Sequence, residues 1–237
     1  MTIPTTLNSG YRVICDAMDH AGFLEEGQEP NSEQIVKYMR RLNDLINFQQ
    51  TQGIKLWLQS DVVVPLVNGQ ATYNFSPTGD IVMSKPLRSL QGYYLDSSGN
   101  RRPIDPISRE EYMRLSNVTQ KGQLNSYFVD KQQSQLAVSF WLVPDAQAAT
   151  GTAHLLLQQQ VTNLISITDL MNFPQEWFMY LGWGLADDIC TGQPPAIVTR
   201  CKERALLYLT ALEGWDVEDA STRFTPDAQS VRQSSFI

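Results

Sequence analysis

Near the start of the chain, apolar residues recur every three or four positions, the spacing of an amphipathic helix. Residues 7–21 form the first such stretch, and Gly22 follows it as a favourable residue beyond a helix end. The second stretch begins at Asn31, which can cap a helix together with Gln34, and it ends near Gly53. The pattern therefore predicts two N-terminal helices.

From about residue 59 the apolar period shortens to two, which is typical of β-strands. Residues 62–67 and 70–75 flank the dipeptide Asn68-Gly69, and this arrangement predicts a β-hairpin with a type I′ turn. Pro65 lies inside the first strand and indicates an edge strand or a bulge, because proline has no N–H to donate to a neighbouring strand.

More strands follow in the same block. The expected elements are a second hairpin at residues 90–95 and after the turn at 97–100, a strand pair at 124–129 and 136–143, and a strand at 152–161. Ser108 and Glu111 form a capping box that opens a short helix to about Leu115.

Helical spacing returns near Ile167. Pro174 suits the first turn of a helix, because its missing N–H would have no partner there. The segment from Gly192 to Pro195 ends this helix, and one more helix runs to Gly214. The polar remainder shows no sustained period, which favours an extended tail.

These elements together predict an α+β fold. The N- and C-terminal helices are expected to form a helical bundle, into which a β-rich domain is inserted, and an extended C-terminal tail follows. The expected boundaries are residues 1–58 for the N-terminal helices, 59–162 for the inserted β-rich domain, 163–214 for the C-terminal helices and 215–237 for the tail.

The charge balance argues against partners that are polyanions. The net charge is −7, and the pairs Arg40-Arg41 and Arg101-Arg102 are too small to make a basic patch, so affinity for nucleic acid or anionic lipid is not expected. Only 18% of the residues are charged. Uncharged polar groups cost less to remove from water than charges do, so such a surface is suited to contact with other proteins.

No targeting or membrane segment is expected, because the N-terminus lacks a basic region and no apolar run is long enough to span a bilayer. The three cysteines, Cys15, Cys190 and Cys201, are widely spaced among apolar residues and are expected to be reduced.

The chain contains no motif that carries chemistry. His20 and His154 are its only histidines, and we interpret them as a surface residue and a sheet residue with a hydrogen-bond partner. Asp187-Asp188 is interpreted as the solvent side of a helix. Gly182 and Gly184, inside the same helix, suggest close packing. We therefore expect no catalytic residue, no metal and no cofactor.

Several short stretches, taken in order, resemble the head-to-tail adaptor (head completion or tail accessory factor) proteins of short-tailed bacteriophages. The resemblance spans residues 7 to about 213. The matching stretches are Gly22-Phe-Leu, Glu26-Gly-Gln-Glu-Pro30, Leu42-Asn-Asp-Leu45, Gly53-Ile-Lys-Leu-Trp57, Pro106 to Tyr112, Gln123 to Asp130, Phe140-Trp-Leu-Val-Pro-Asp145, and Phe173-Pro-Gln-Glu-Trp177 followed by Leu185-Ala186.

The resemblance implies a structural virion protein at the head–tail junction, assembled in the host cytoplasm. Such an adaptor forms a ring, usually of twelve subunits, beneath the portal protein. The ring extends the DNA channel, helps retain the packaged genome and is a platform for tail or nozzle proteins. DNA would pass through without specific binding, and no membrane is involved.

Two sets of residues are candidates for assembly. The tail is expected to bind the portal through Trp215, Val217, Phe224, Phe236 and Ile237. The apolar helix after Pro174 is expected to pack within and between subunits through Trp177, Phe178, Leu181, Trp183 and Leu185.

Two alternatives to the adaptor stay open. One is another phage tail, plug or decoration protein. The other is a virion-associated cell-wall hydrolase, which needs a carboxylic acid with a raised pKa. Its nominal candidates are Glu110, Glu111 and Glu176, although these positions suit the first turns of helices, where carboxylates interact with the helix dipole.

Overall fold

The computed structural model describes residues 9–25, 27–52, 56–166 and 169–216, with helices towards both ends of the chain and strands between them. The α-helices in these residues are α1 (Gly10–His20), α2 (Ser32–Thr51), α3 (Arg109–Met113), α4 (Trp177–Ile189) and α5 (Pro195–Trp215). The strands are β1 (Gln59–Pro65), β2 (Thr72–Ser76), β3 (Ile81–Val82), β4 (Arg88–Leu95), β5 (Arg101–Ile107), β6 (Lys121–Gly122), β7 (Ser126–Lys131), β8 (Leu136–Trp141), β9 (Val143–Pro144) and β10 (Thr152–Gln158).

Eight of these strands join into one sheet with the order β1-β10-β4-β5-β7-β8-β2-β3, while β6 and β9 form a separate small pair. β1 and β2 are six places apart in this order, which is about 29 Å in a flat sheet. The chain from Pro65 to Thr72 reaches at most about 25 Å. The sheet must therefore curl until it is nearly closed.

The curled sheet encloses a core of its own. Inward side chains from β1, β2, β4, β5, β7, β8 and β10 form one apolar cluster. Its largest fully buried members are aromatic: Tyr73, Phe75, Tyr94, Tyr127 and Phe140. One shared core for strands from both ends of the sheet fits the curled shape.

The prediction that a helical bundle forms the core of the fold is wrong, although the chain does combine helices and strands. The largest unit is the eight-stranded sheet, and the helices lie at the two ends of the chain. The spacing of hydrophobic residues along the chain locates single helices and strands, but it does not show which strands pair when they are far apart in sequence. Here β1 pairs with β10, and β5 pairs in parallel with β7.

A second apolar cluster lies among α1, α2, α4 and α5. It contains Ile14, Met18, Leu42, Ile46 and Leu185, each almost completely buried. Burying side chains of this size contributes roughly 1.5–3 kcal/mol each.

The predictions for α1 and α2 are confirmed. Gly22 follows α1 with a φ of 72°, a conformation that a side chain would disfavour. Asn31 and Gln34 form the expected capping box, with Asn31 Oδ1 accepting from the Gln34 backbone N–H at 2.8 Å.

The predicted hairpin between residues 62–67 and 70–75 is wrong, because β2 pairs with β8 and β3 instead of β1. The turn does form, since the Gln70 N–H donates to the Val67 carbonyl at 3.0 Å. Gly69 has a φ of 84° but Asn68 has a negative φ, which makes this a type II turn and not type I′. Type II turns splay the flanking strands, so the chain crosses to the other end of the sheet.

Other predictions for the β-rich segment are confirmed. β4 and β5 form an antiparallel hairpin, β7 and β8 form another pair, and β10 occupies most of residues 152–161. β1, which contains Pro65, lies at an edge of the sheet as predicted. Ser108 and Glu111 form the capping box of α3.

The C-terminal helices also form, with shifted boundaries. α4 begins at Trp177, after a turn in which the Trp177 N–H donates to the Pro174 carbonyl at 3.1 Å. α5 includes Trp215, which was expected in the tail. Ile167 and residues 217–237 lie outside the described residues.

Candidate interaction surfaces

α4 occupies the centre of the helical region, because α1, α2 and α5 all pack against it. The α4 residues that contact α2 are spaced four apart along the helix. The contacts are Tyr180 with Gln49, Gly184 with Leu45, and Asp188 with Arg41.

The expected subunit-packing residues lie on α4 and contact their own chain. Trp177, Leu181 and Leu185 are buried, whereas Phe178 and Trp183 are half-buried. The Trp177 ring lies among Trp57, Phe173 and Tyr180, with centroids 6.1, 6.4 and 6.0 Å away. A role for these residues between subunits stays a prediction.

α2 exposes large apolar side chains on the side opposite its buried stripe. Val36 is 64% exposed and Phe48 is 59% exposed, and charged residues of both signs are exposed on the same side of the helix: Glu33, Lys37, Arg40 and Asp44. We call these six residues the α2 face. Phe48 also lines a groove of about 590 Å³ between α2 and the C-terminal end of α4.

α5 exposes a second set of large apolar side chains outside its buried stripe of Cys201, Ala205 and Leu212. Leu206, Leu207 and Trp215 are 61%, 56% and 79% exposed. Three small residues extend this surface, and we call the whole set the α5 face: Leu206, Leu207, Thr210, Ala211, Gly214 and Trp215.

The two faces belong to different helices that both pack on α4. α2 contacts α4 at Tyr180 and Gly184. α5 lies near Asp187 and Cys190, through Lys202 and Cys201. One chain therefore exposes apolar side chains on two helices.

Sequence reasoning missed both faces, although a signal was present. In α2 the apolar stripe through Ile35, Leu42 and Ile46 explains burial, and Val36 and Phe48 fall outside it. In α5, Leu206 and Leu207 likewise fall outside the stripe of Cys201, Ala205 and Leu212. Large apolar residues off the buried stripe of a helix were the signal.

Of the expected portal-binding residues, only Trp215 lies in the described part of the chain. It ends α5 and is exposed. Val217, Phe224, Phe236 and Ile237 lie outside the described residues, so their role stays a prediction.

Each of the two histidines has a defined partner. His154, on β10, stacks on Tyr93 with ring centroids 4.6 Å apart, and its Nδ1 lies 3.2 Å from an Asp61 carboxylate oxygen. His154 thus has the partner expected of a sheet residue. His20 stacks on Trp183 at 3.9 Å and is half-buried, and burial lowers its pKa.

The carboxylates considered as catalytic acids of a hydrolase either have structural partners or are exposed to solvent. Glu111 accepts from the Ser108 N–H at 2.7 Å, and this hydrogen bond lowers the pKa of the carboxyl. A lowered pKa is the reverse of what a general acid requires. Glu110 pairs with Arg114, and Glu176 is exposed.

Asp187 and Asp188 do not form a common site. Asp188 pairs with Arg41 at 3.2 Å, and Lys202 lies near Asp187, whose pKa burial nevertheless raises. Within the described ranges no group of three or more potential ligands could hold a metal ion. Cys15, Cys190 and Cys201 are free thiols, as expected.

In the part of the chain that the structure covers, no helix combines the length and the apolarity needed to cross a bilayer.

Comparisons with known proteins found structural likeness only at a distance, among solved structures. No family model matches the chain, and no curated protein matches it. Among solved structures, a chain from the neck of an empty gene transfer agent (GTA) particle, computed with sixfold symmetry, is similar over 78% of this chain and 87% of its own length. The identity is 8% and the TM-score is 0.26. At this TM-score no conclusion about the function of the chain follows.

Proposed function

We propose that this chain is a structural protein of a virion neck, a head-to-tail adaptor whose copies form a ring beneath the portal. The observation that carries the proposal is the exposure of five large apolar side chains on the α2 and α5 faces. Exposed apolar surfaces of this kind are typical of protein interaction sites. The resemblance of the sequence to the adaptors of short-tailed phages supplies the kind of assembly.

The charge of the chain is compatible with a channel for DNA. A net charge of −7 gives phosphates no overall attraction, so DNA could slide past without being held. Retention of the genome would then depend on the closed ring and on tail proteins below it.

The proposal is tested by omitting the chain during particle assembly. Heads made without it should package DNA, then lose it and remain without tails. Adding the purified protein to freshly filled heads should restore DNA retention, measured as nuclease-resistant DNA per particle. Tailed, stable particles formed without the chain would contradict the proposal and would favour a decoration protein.

A further inference from the structure

We propose that Cys190 and Cys201 form a redox-sensitive pair, which hydrogen peroxide converts into a disulfide that joins the end of α4 to α5. The pairing is a property of the chain itself and goes beyond the proposed function. It would give the helical region a covalent link once the chain has left a reducing compartment, where thiols are kept free.

The two cysteines lie on either side of the short connection between α4 and α5. Cys190 follows directly after α4, and its N–H donates to the Ala186 carbonyl at 2.9 Å. Cys201 lies in α5, about 9 Å along the helix from its first residue, Pro195. α4 and α5 pack against each other across this connection, which brings the two positions together.

The thiols of the two cysteines are close enough to interact with each other. Each thiol also donates to a backbone carbonyl: Cys190 Sγ lies 3.2 Å from the Asp187 oxygen, and Cys201 Sγ lies 3.6 Å from the His20 oxygen. Both residues are completely buried, and both thiols are free. A disulfide forms without movement of the backbone only where two cysteines already lie close together, and the fold supplies that closeness here.

Cys15 provides a comparison within the same chain. It lies on α1, is half-buried, and interacts with the side chain of Tyr11 on the same helix. The fold therefore places two of the three thiols together and holds the third beside a tyrosine. A disulfide that the fold directs should join Cys190 to Cys201 and leave Cys15 free.

The surroundings of the pair slow its oxidation. Burial raises the pKa of both thiols, and the carboxylate of Asp187 acts in the same direction, whereas Arg200 of α5 lowers the pKa of Cys201. The thiolate is the form that attacks an oxidant, so oxidation should be slow at neutral pH and about tenfold faster at pH 8 than at pH 7. The pair therefore suits a slow, lasting link and not a rapid sensor.

The reaction with hydrogen peroxide needs no further partner. The thiolate of one cysteine attacks a peroxide oxygen, the O–O bond breaks, and hydroxide leaves and takes up a proton to become water, so that this cysteine becomes a sulfenic acid. The sulfur of the second cysteine then attacks the sulfenic sulfur, which forms the S–S bond and releases a second water. Overall the two thiols lose two electrons and two protons, and the peroxide is reduced to two waters.

Mass spectrometry of the full chain tests the pairing. The reduced protein is treated with hydrogen peroxide, its remaining thiols are blocked with N-ethylmaleimide after unfolding, and the product is digested without reductant. We expect a monomer that has lost about 2 Da, takes up maleimide only at Cys15, and contains a Cys190–Cys201 linkage at least about tenfold more abundant than any linkage to Cys15. Dithiothreitol should restore three reactive thiols.

Matched controls show whether the fold directs the linkage. Cys15→Ala should still form it, and Cys201→Ala should not. Treatment of the unmodified chain in concentrated guanidinium chloride should remove the preference and give linkages to Cys15 as well. Because the linkage is mapped in the unmodified chain, the test does not depend on the folding of the variants. Linkages to Cys15 from the folded chain, or sulfinic acids in place of the disulfide, would overturn the proposal.

The disulfide should also stabilise the helical region, because it restricts the unfolded chain. The oxidised protein should unfold at a higher urea concentration than the reduced protein, and dithiothreitol should reverse the difference. An unchanged unfolding midpoint would contradict a stabilising link. Neither measurement involves the portal. If the disulfide is absent while the chain binds portal rings, the adaptor function stands and this inference is wrong; if the disulfide forms but the portal is not bound, the reverse holds.

Discussion

At the scale of single residues, Tyr180 is a buried polar group that links two helices, α4 and α2. Its hydroxyl accepts a hydrogen bond from Gln49 Nε2 of α2. Burial, followed by the nearby carboxylates Glu213 and Asp187, raises the pKa of Tyr180 to about 12. The neutral phenol is therefore the form that the folded chain favours.

We predict that Tyr180→Phe destabilises the chain at neutral pH. The variant should also lose less stability than the unmodified chain as the pH rises above 10. Loss of the hydroxyl leaves the Gln49 amide unpaired, which costs about 1–3 kcal/mol. In the unmodified chain the folded state keeps its Tyr180 proton to about pH 12, whereas the unfolded state loses it near pH 10. The contribution of neutral Tyr180 to the stability of the fold is therefore fully present below pH 10, and it is lost as the pH rises towards 12.

Urea unfolding between pH 7 and pH 12 measures both effects. Tyr208→Phe, at a half-buried position on α5, is the matched control. A Tyr180→Phe variant that loses stability above pH 10 as steeply as the unmodified chain would contradict the assigned role of this phenol.

The turn at Asn68-Gly69 gives a second prediction at this scale. In a type II turn the first central position accepts proline and the second requires a positive φ. Asn68→Pro should change the free energy of unfolding by less than about 1 kcal/mol, whereas Gly69→Ala should cost about 1–2 kcal/mol. Thermal unfolding of both variants measures these changes in stability. Severe destabilisation by Asn68→Pro would indicate a type I′ turn instead.

At the scale of elements, α4 carries two glycines that differ in their surroundings. A Cβ on Gly184 would lie 3.3 Å from Leu45 Cδ2 and 3.4 Å from the Tyr180 ring. A Cβ on Gly182 would meet Asp16 Cβ at 3.8 Å, an ordinary contact. Close packing therefore explains Gly184 but not Gly182.

We predict that Gly182→Ala stabilises the chain by up to about 1 kcal/mol, because alanine favours the helical backbone. Gly184→Ala has the same backbone benefit but crowds Leu45, so it should stabilise less or destabilise. Urea denaturation of the two variants gives the comparison. Equal stabilisation by both would show that α2 does not pack closely on Gly184.

The polar tail after α5 gives a second prediction at the element scale. Deleting residues 217–237 keeps α5 intact, so the melting temperature should change little. Portal binding should be lost if Phe224, Phe236 and Ile237 contact the portal, as the sequence suggests. Co-sedimentation with portal rings tests this, with a Phe224→Ser, Phe236→Ser double variant as the narrower control. Unchanged binding by the deletion would remove the tail from the account.

Elements that depend on local signals were predictable, and those that depend on distant pairing were not. The capping boxes at Asn31 and Ser108 and the β4–β5 hairpin each follow from a few neighbouring residues. β1 could equally have paired with β2, and its actual partner, β10, lies about ninety residues away. Nothing within β1 encodes that choice.

At the scale of the whole molecule, a curled sheet and a helical region each have an apolar core. The helical region exposes large apolar side chains on α2 and on α5, and the proposed ring would need two different contact surfaces on each subunit. The sequence indicated an assembly component through its apolar helices and few charges. It did not indicate where the exposed faces lie, because burial of one helix side depends on which helices pack around α4.

The most direct test of the adaptor account is the mass of the purified chain, alone and mixed with portal rings of its particle, by light scattering. The account predicts a complex of fixed stoichiometry, with a ring of this chain beneath the portal in negative-stain images. A mixture in which the chain and the portal keep their separate masses would contradict the account.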